Sequence, residues 1–339
     1  MFHGKIFIET FTLLGCGGLD YRLQRVRKKN LNDAKKHIFA LDYTTLNNMA
    51  RYISDKHLKA YQKGGVLNKL FETIKEDPEL SFEIRMNDEV MVHYHKDKIL
   101  TITLSRKGEP KVTILSDKYY KESGNKPKID FQDPHNFIAK EEMREYFREA
   151  KKLVYVYKMG AEFNVQQNIA LGNHSFDNRF LVVDMEWQFS QAGIPKGERI
   201  SKTRVDLIIV DTIRNTDGEN DIYLAELKLG LGATEGASGT IDHVDKTAEI
   251  IYNKKACDSL KEDVKSIVKQ KTELGLIEGT QKEEFHFSSK PKMMLILAYR
   301  GKKELDLLKL ECEKAKQEAL KKNIDEPLCI MHDALIKLS

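Results

Sequence analysis

Residues 203–230, TRVDLIIVDTIRNTDGENDIYLAELKLG, have the pattern of two strands joined by a polar turn. The first strand, residues 205–210, is a nearly continuous aliphatic run, which is typical of a strand buried on both faces. The turn at residues 215–220 includes an Asp-Gly pair, which hairpins favour, and the second strand follows at residues 222–229. The segment therefore predicts a hairpin in the centre of a sheet.

Three ionisable residues interrupt these apolar strands: Asp206, Glu226 and Lys228. Side chains alternate along a strand, so Glu226 and Lys228 project to the same face, and Asp206 can lie across from them on the neighbouring strand. Two carboxylates that converge at a sheet edge suit a hard cation such as Mg²⁺, and a nearby lysine can bind a phosphate or orient a water molecule. The alternative is a salt pair between Glu226 and Lys228 without a catalytic role, with Asp206 as an edge-strand residue.

At these residues the chain resembles the PD-(D/E)XK nuclease superfamily, which has the restriction-endonuclease-like fold. The similarity consists of residues 204–206 (RVD) for the first acid and residues 226–228 (ELK) for the E-x-K motif, on two strands joined by a hairpin turn. Val205 stands at the place of the nominal proline, a position that varies in the superfamily. The resemblance covers roughly residues 135–300. It implies an α/β domain whose mixed sheet is flanked by helices.

The resemblance also implies a function, that of a metal-dependent nuclease hydrolysing phosphodiester bonds. The expected enzyme is a Mg²⁺-dependent endo- or exodeoxyribonuclease of restriction, defence or repair type, acting on DNA in preference to RNA. Asp206 and Glu226 would bind Mg²⁺ or Mn²⁺, and Lys228 would orient the attacking water or stabilise charge on phosphorus. Two rival functions stay open: a catalytically inactive nucleic-acid-binding module with the same fold, and a metal-dependent hydrolase of small phosphoesters.

The superfamily often adds an acid from a helix that precedes the sheet. Glu162 is the first choice as a third metal ligand and catalytic residue, because it begins a predicted helix, residues 161–171, that leads directly into the next strand. Glu142 and Glu149 flank the apolar stripe of the longer preceding helix and are alternatives. Glu186, on the next predicted strand, could also join the acidic cluster.

Two further elements follow the E-x-K strand. Residues 243–274 have a basic helical pattern, in which Tyr252 and Lys255 are candidate phosphate contacts, because helices after this strand often face the active site in the superfamily. Residues 293–298 form a short apolar run that predicts a buried strand. A strand–helix–strand connection is right-handed, so we expect this strand to lie parallel to the one that carries Glu226.

Residues 81–116 alternate apolar and polar side chains in four short runs separated by turn residues. This pattern predicts a four-strand antiparallel meander. Helical spacing at residues 46–70 precedes it, and a polar segment with Gly and Pro follows at residues 118–128. We therefore predict a smaller N-terminal α+β module at residues 1–128, for recognition or oligomerisation, and a nuclease domain at residues 129–339.

The composition places few limits on function. The chain has 41% hydrophobic and 32% charged residues, a net charge of +4 and a pI near 8.6, which is compatible with nucleic-acid binding but does not require it. Its four cysteines have no C-x-x-C spacing, and no run of about 18 apolar residues would span a membrane. We expect a cytoplasmic protein with reduced cysteines and DNA as its partner. A homo-oligomer is expected if two sites cut the two strands of a duplex.

Overall fold

The structure is a computed structural model of the chain, and it describes residues 51–95, 97–116, 118–119, 140–157, 161–191, 199–201, 204–236 and 239–334. All of these residues belong to one compact unit, residues 49–339. The predicted domain boundary near residue 128 lies outside the described residues, as does the first part of the predicted N-terminal module.

The first part of this unit contains two short helices followed by a four-strand sheet. In chain order the elements are α1 (Asp55–Tyr61), α2 (Asn68–Lys75), β1 (Ser81–Arg85), β2 (Glu89–Tyr94), β3 (Asp97–Leu104) and β4 (Pro110–Ile114). Each strand pairs antiparallel with the next, in the order β1-β2-β3-β4. This confirms the four-strand antiparallel meander that the sequence predicts.

The prediction of one helical segment at residues 46–70 is wrong. In the part of this segment that the structure describes, α1 and α2 are separated by a turn. Gly64 has a left-handed backbone with a φ of 86°. Gly65 packs so closely on α1 that an added Cβ would lie 2.3 Å from the carbonyl oxygen of Ala60. A helix does not continue through such a turn, so the chain leaves α1 and starts α2 at Asn68.

The second part is built around a five-strand sheet. Its elements are α3 (Lys140–Tyr157), α4 (Ala161–Gly172), β5 (Phe180–Gln188), β6 (Arg204–Asp211), β7 (Ile222–Leu229), α5 (Thr240–Tyr252), α6 (Lys254–Glu273), β8 (Lys292–Tyr299), α7 (Lys302–Lys321) and β9 (Leu328–Asp333). The strands lie in chain order across the sheet, with β5, β6 and β7 antiparallel and β8 and β9 added in parallel. The protein is thus an α/β protein with a mixed sheet. The predicted central hairpin and the predicted parallel strand are confirmed.

The single helix predicted at residues 243–274 is wrong, because the structure has two helices there, α5 and α6. They meet at Asn253, whose side-chain oxygen accepts a hydrogen bond from Ala256 N at 3.0 Å. Asn253 has an extended backbone and caps the start of α6, which ends the preceding helix. None of the helices in the described ranges is long and apolar enough to cross a membrane.

Both faces of the five-strand sheet are buried, which explains the unbroken aliphatic run of β6. On one face, alternate side chains join the core of the four-strand sheet; these include Ile208, Leu224 and Leu295. On the opposite face, the residues between them pack with the apolar side chains of α4; these include Leu207, Ala225 and Ile296. The two sheets therefore share one continuous core, and the edge of the four-strand sheet lies close to β5.

A disulfide joins Cys312 of α7 to Cys329 of β9, with their Cα atoms 6.3 Å apart. It links the last crossover helix to the edge strand that follows it. The expectation that these two cysteines are reduced is therefore wrong for this structure, because the fold brings together residues whose spacing in the sequence suggests no pairing. Cys257 of α6 is a buried free thiol, and burial raises its pKa.

Candidate active site

Three acidic residues occupy one level of the antiparallel part of the five-strand sheet. The sheet pairs Met185 of β5 with Leu207 of β6, and Leu207 with Ala225 of β7. The residue next to each of these in its strand is an acid: Glu186, Asp206 and Glu226, respectively. The fold therefore places the two metal ligands predicted from the sequence, Asp206 and Glu226, on adjacent strands at the same height, with Glu186 at that height on the next strand.

A cleft of about 750 Å³ opens beside this row. The four site residues predicted from the sequence, Glu162, Asp206, Glu226 and Lys228, all line it. Other lining residues come from the four-strand sheet, β5, β6 and α5, and they include Arg85, Met91, Glu186, Arg204 and His243. The fold thus brings a helix acid, two strand acids and a lysine into one cavity between the two sheets.

Two of the acids are tied to the backbone of β7, the strand that carries the E-x-K motif. Asp206 Oδ2 accepts a hydrogen bond from Leu227 N at 3.1 Å, and Glu162 Oε2 accepts one from Leu229 N at 3.1 Å. Hydrogen bonds to a charged carboxylate are stronger than those between neutral groups. The acids of α4 and β6 are therefore held against the two residues that flank Lys228.

Glu226 has a partner that the sequence did not indicate. His243 Nδ1 lies 2.9 Å from Glu226 Oε2, and His243 belongs to the first turn of α5. Glu226 and Lys228 are only 2% and 6% exposed, so each needs charged or polar neighbours inside the protein. The only local signal for His243 is its position in the first helical turn after the loop that follows Lys228.

No protein-family model, curated protein or solved structure matches this chain. The resemblance to the PD-(D/E)XK superfamily therefore rests on the sequence motif alone, residues 204–206 and 226–228. Neither a family nor a reaction is identified by comparison with known proteins.

The carboxylates of the cleft suit a hard divalent cation. Within the part of the chain that the structure describes, no three His, Cys, Asp or Glu side chains form a ready-made metal centre. Mg²⁺ does not require one, because it usually binds one or two carboxylates and completes its shell with waters and substrate phosphates. Asp206 and Glu226, at one height on adjacent strands, fit that mode of binding, and Glu162 is a further oxygen donor in the same cleft.

The other candidates from the sequence lie outside this cleft. Glu142 and Glu149 are exposed on α3 and do not line it. The Tyr252 hydroxyl lies within hydrogen-bond distance of two backbone carbonyl oxygens just after α7, so it is engaged away from the acids. Lys255, at the start of α6, does not line the cleft either. Of the three helix glutamates considered, the fold brings Glu162 to the strand acids.

A buried ionic cluster joins the four-strand sheet to β5 beside the acids. Asp184 accepts hydrogen bonds from Arg51 Nη1 and Arg85 Nη1, and all three side chains are buried. Burial alone would raise the pKa of Asp184, but the two guanidinium groups outweigh it and lower that pKa. Asp184 is therefore a charged anchor between the two sheets.

The same two arginines hold the backbone next to Glu186. Arg85 Nη2 donates to the carbonyl oxygen of Met185 at 2.9 Å, and Arg51 Nη2 donates to that of Glu186 at 3.3 Å. Glu186 has a φ of 55°, in the left-handed region that residues other than glycine rarely adopt. Such residues persist only where the surrounding structure holds them, and they concentrate at functional sites.

Proposed function

We propose that this protein is a metal-dependent nuclease that hydrolyses phosphodiester bonds in DNA. The observation that carries the proposal is that Glu162, Asp206, Glu226 and Lys228 line one cleft. A restriction-endonuclease-like fold belongs to the same proposal, and it is supported by three antiparallel strands that continue into the parallel strand β8. The choice of DNA over RNA rests on the sequence resemblance.

In this proposal Asp206 and Glu226 hold Mg²⁺ or Mn²⁺, waters and substrate phosphate oxygens complete its shell, and Glu162 is a further oxygen donor in the same cleft. When bound, the ion would polarise the phosphate and offset the charge that develops on it. The carboxylates are already oriented, because backbone amides of β7 bind Asp206 and Glu162 and the imidazole of His243 contacts Glu226. Groups fixed before the substrate arrives need no reorganisation during the reaction, which is the basis of electrostatic catalysis.

Lys228 is the residue that we assign to the attacking water. Its buried ammonium group lies in the cleft with the acids, where exclusion of solvent strengthens its interaction with an anion. There it donates a hydrogen bond to the water or to a non-bridging phosphate oxygen. The water oxygen bonds to phosphorus and releases a proton, the bond from phosphorus to the leaving oxygen breaks, and that oxygen takes up a proton.

The test is a cleavage assay with plasmid, linear duplex, single-stranded DNA and RNA, each in Mg²⁺ and in EDTA. Lys228→Met is the sharpest variant, because methionine keeps the apolar stem of this buried side chain and removes its charge. Lys292→Met is the control, since Lys292 binds Asp221 at the opposite end of β7. We expect Mg²⁺-dependent cleavage by the parent and by Lys292→Met, and a loss of about 100-fold or more in Lys228→Met.

The other outcomes of this assay distinguish the rival functions. DNA binding without cleavage in any divalent cation would indicate a binding module of the same fold. Turnover of small phosphodiesters without cleavage of nucleic acid would indicate a small-phosphoester hydrolase. Equal cleavage by Lys228→Met and the parent would place the active site elsewhere. Cleavage of both strands of a duplex in one event would favour a homo-oligomer with two sites.

A further inference from the structure

Arg204 is an exposed arginine in the cleft that the strand acids line. It is the first residue of β6, two residues before Asp206, and its side chain is 63% exposed. Its Nε lies 3.1 Å from Glu186 Oε2. Within the described ranges neither Nη group of Arg204 has a hydrogen-bond partner. The outer edge of its guanidinium group is therefore open to a ligand.

Glu186 binds this guanidinium group from a fixed position. Gln166 is buried in α4, and its Nε2 donates to Glu186 Oε1 at 3.1 Å and to the carbonyl oxygen of Asp206 at 2.9 Å. One oxygen of Glu186 thus binds Gln166 and the other binds Arg204. The left-handed backbone of Glu186 is held in turn by the two arginines of the buried ionic cluster. Glu186 therefore sets the orientation of the Arg204 side chain.

An ordinary surface salt bridge lacks this support. Arg148 and Glu145 form such a bridge on α3, where both side chains are largely exposed, and pairs of this kind contribute little. The pair of Arg204 and Glu186 differs, because the side chain of Glu186 is only 12% exposed and is bound on its other oxygen. The arrangement orients the exposed arginine toward the cleft that both residues line.

An exposed arginine at this position offsets the repulsion between the carboxylates of the cleft and a phosphate. Carboxylates line the cleft together with Arg51, Arg85 and Lys228, and these three cations are buried. The carboxylates repel a phosphodiester anion unless an accessible cation faces it. Lys228 is buried among the acids, whereas Arg204 is exposed at their edge. A guanidinium group presents paired N–H donors that match two phosphate oxygens, which a lysine cannot do.

Resting on the proposed nuclease function, we propose that Arg204 binds a non-bridging phosphate edge of the nucleic-acid substrate and that Glu186 positions it. The substrate group is the anionic phosphodiester itself, so the contact is independent of base sequence. Arg204 thereby sets where the backbone lies relative to Asp206 and Lys228.

The test is the binding of a fluorescein-labelled duplex of about 20 base pairs, measured by anisotropy in Ca²⁺ over a range of NaCl concentrations. Arg179→Ala is the matched control, because Arg179 is also an exposed arginine paired with a carboxylate of the same sheet but lies outside the cleft. We expect Arg204→Ala to weaken binding about 10-fold and to reduce the slope of log K against log salt by about one. Arg204→Lys should restore the salt slope of the parent but only part of its affinity for DNA. Arg179→Ala should have the same slope and the same affinity as the parent.

The Glu186→Gln variant distinguishes the positioning of Arg204 by Glu186 from the effect of the negative charge of Glu186 on DNA binding. This change removes a negative charge from the cleft, so charge alone predicts tighter DNA binding. Loss of positioning predicts weaker binding and a higher KM for cleavage, and this is the result that we expect. Tighter binding with an unchanged KM would overturn the positioning role of Glu186.

The outcomes for Arg204 and for the nuclease are distinguishable. If Arg204→Ala has the affinity and salt slope of Arg179→Ala, the phosphate contact is overturned whether or not the parent cuts DNA. If the parent binds DNA without cutting it and only Arg204→Ala lowers the slope, the phosphate contact is supported and the nuclease is overturned. A parent that binds no nucleic acid overturns both.

Discussion

His243 Nδ1 lies 2.9 Å from Glu226 Oε2, so the helix that follows the E-x-K strand contacts the acid of that motif directly. Glu226 is buried, and it cannot replace this partner with water without cost. The position of the carboxylate is therefore set by α5 as well as by β7. Partners of this kind orient the carboxylates of metal sites.

Under the proposed nuclease function, we expect His243→Ala to lower the rate of DNA cleavage by roughly 10- to 100-fold, because Glu226 loses a partner that orients it. His243→Gln should recover part of the rate, since its amide can still donate a hydrogen bond. His174→Ala is the control, because His174 pairs with Glu278 at an exposed site outside the cleft. The measurement is single-turnover cleavage in Mg²⁺, and equal rates for the two alanine variants would refute the orienting role.

Asp263 of α6 is a buried carboxyl that contacts the buried ionic cluster through Arg51. Its Oδ1 accepts a hydrogen bond from Arg51 N and its Oδ2 accepts one from Trp187 Nε1, both at 2.8 Å. Burial raises the pKa of Asp263 to about 6. This folded-state pKa lies above that of the unfolded chain, so the stability from Asp263 is present below about pH 4 and is lost as the pH rises to about 6, on the order of 3 kcal/mol.

Trp187 should report this titration directly, because it is the only tryptophan of the chain. We expect its fluorescence emission to change with a midpoint near pH 6, and we expect Asp263→Asn to abolish the change. Asp221→Asn is the control, since Asp221 binds Lys292 away from the tryptophan. Emission that stays constant between about pH 5 and pH 7 would contradict the raised pKa. The free energy of unfolding is a less direct measure of this titration, because the lowered pKa of Asp184 makes stability change with pH in the opposite sense.

The disulfide between Cys312 and Cys329 should stabilise the fold, because it constrains the unfolded chain. Closing a loop of this size is worth about 3 kcal/mol, so we expect a reducing agent to lower Tm by about 5 °C or more. Cys257→Ser is the control, since Cys257 lies outside the bridge. The Cys312→Ser/Cys329→Ser double variant should melt like the reduced parent in both conditions. A parent Tm that does not respond to reductant would argue against the bridge.

The sheets could be predicted from the sequence because the pattern of apolar residues in each strand shows which of its faces are buried. The aliphatic runs of β6 and β8 and the alternation of the first four strands specify strands without reference to distant residues. The common height of Asp206 and Glu226 follows from the hairpin that joins their strands. The helix breaks at Gly65 and Asn253 also have local signals, a Gly-Gly pair and an N-cap residue, which apolar spacing alone does not detect.

The surroundings of the acids could not be predicted, because they depend on residues far apart in the sequence. Asp184 meets Arg51 and Arg85 only once the two sheets have packed together. Nothing in the residues around Glu186 indicates its left-handed backbone, whose carbonyl oxygens at Met185 and Glu186 bind those two arginines. The motif is therefore visible in the sequence, whereas the contacts that orient its carboxylates are properties of the packed fold.

The most direct measurement of the central claim is the binding of Mn²⁺ to the folded protein, by isothermal titration calorimetry with and without a cleavage-resistant phosphorothioate DNA. The parent should bind Mn²⁺, and Asp206→Asn and Glu226→Gln should each weaken that binding by about 10-fold or more. Glu162→Gln should also weaken it, whereas Glu142→Gln, which changes an exposed acid outside the cleft, should not. Equal Mn²⁺ affinity in Asp206→Asn and Glu142→Gln, or no binding by the parent even with DNA, would contradict a shared metal site beside Lys228.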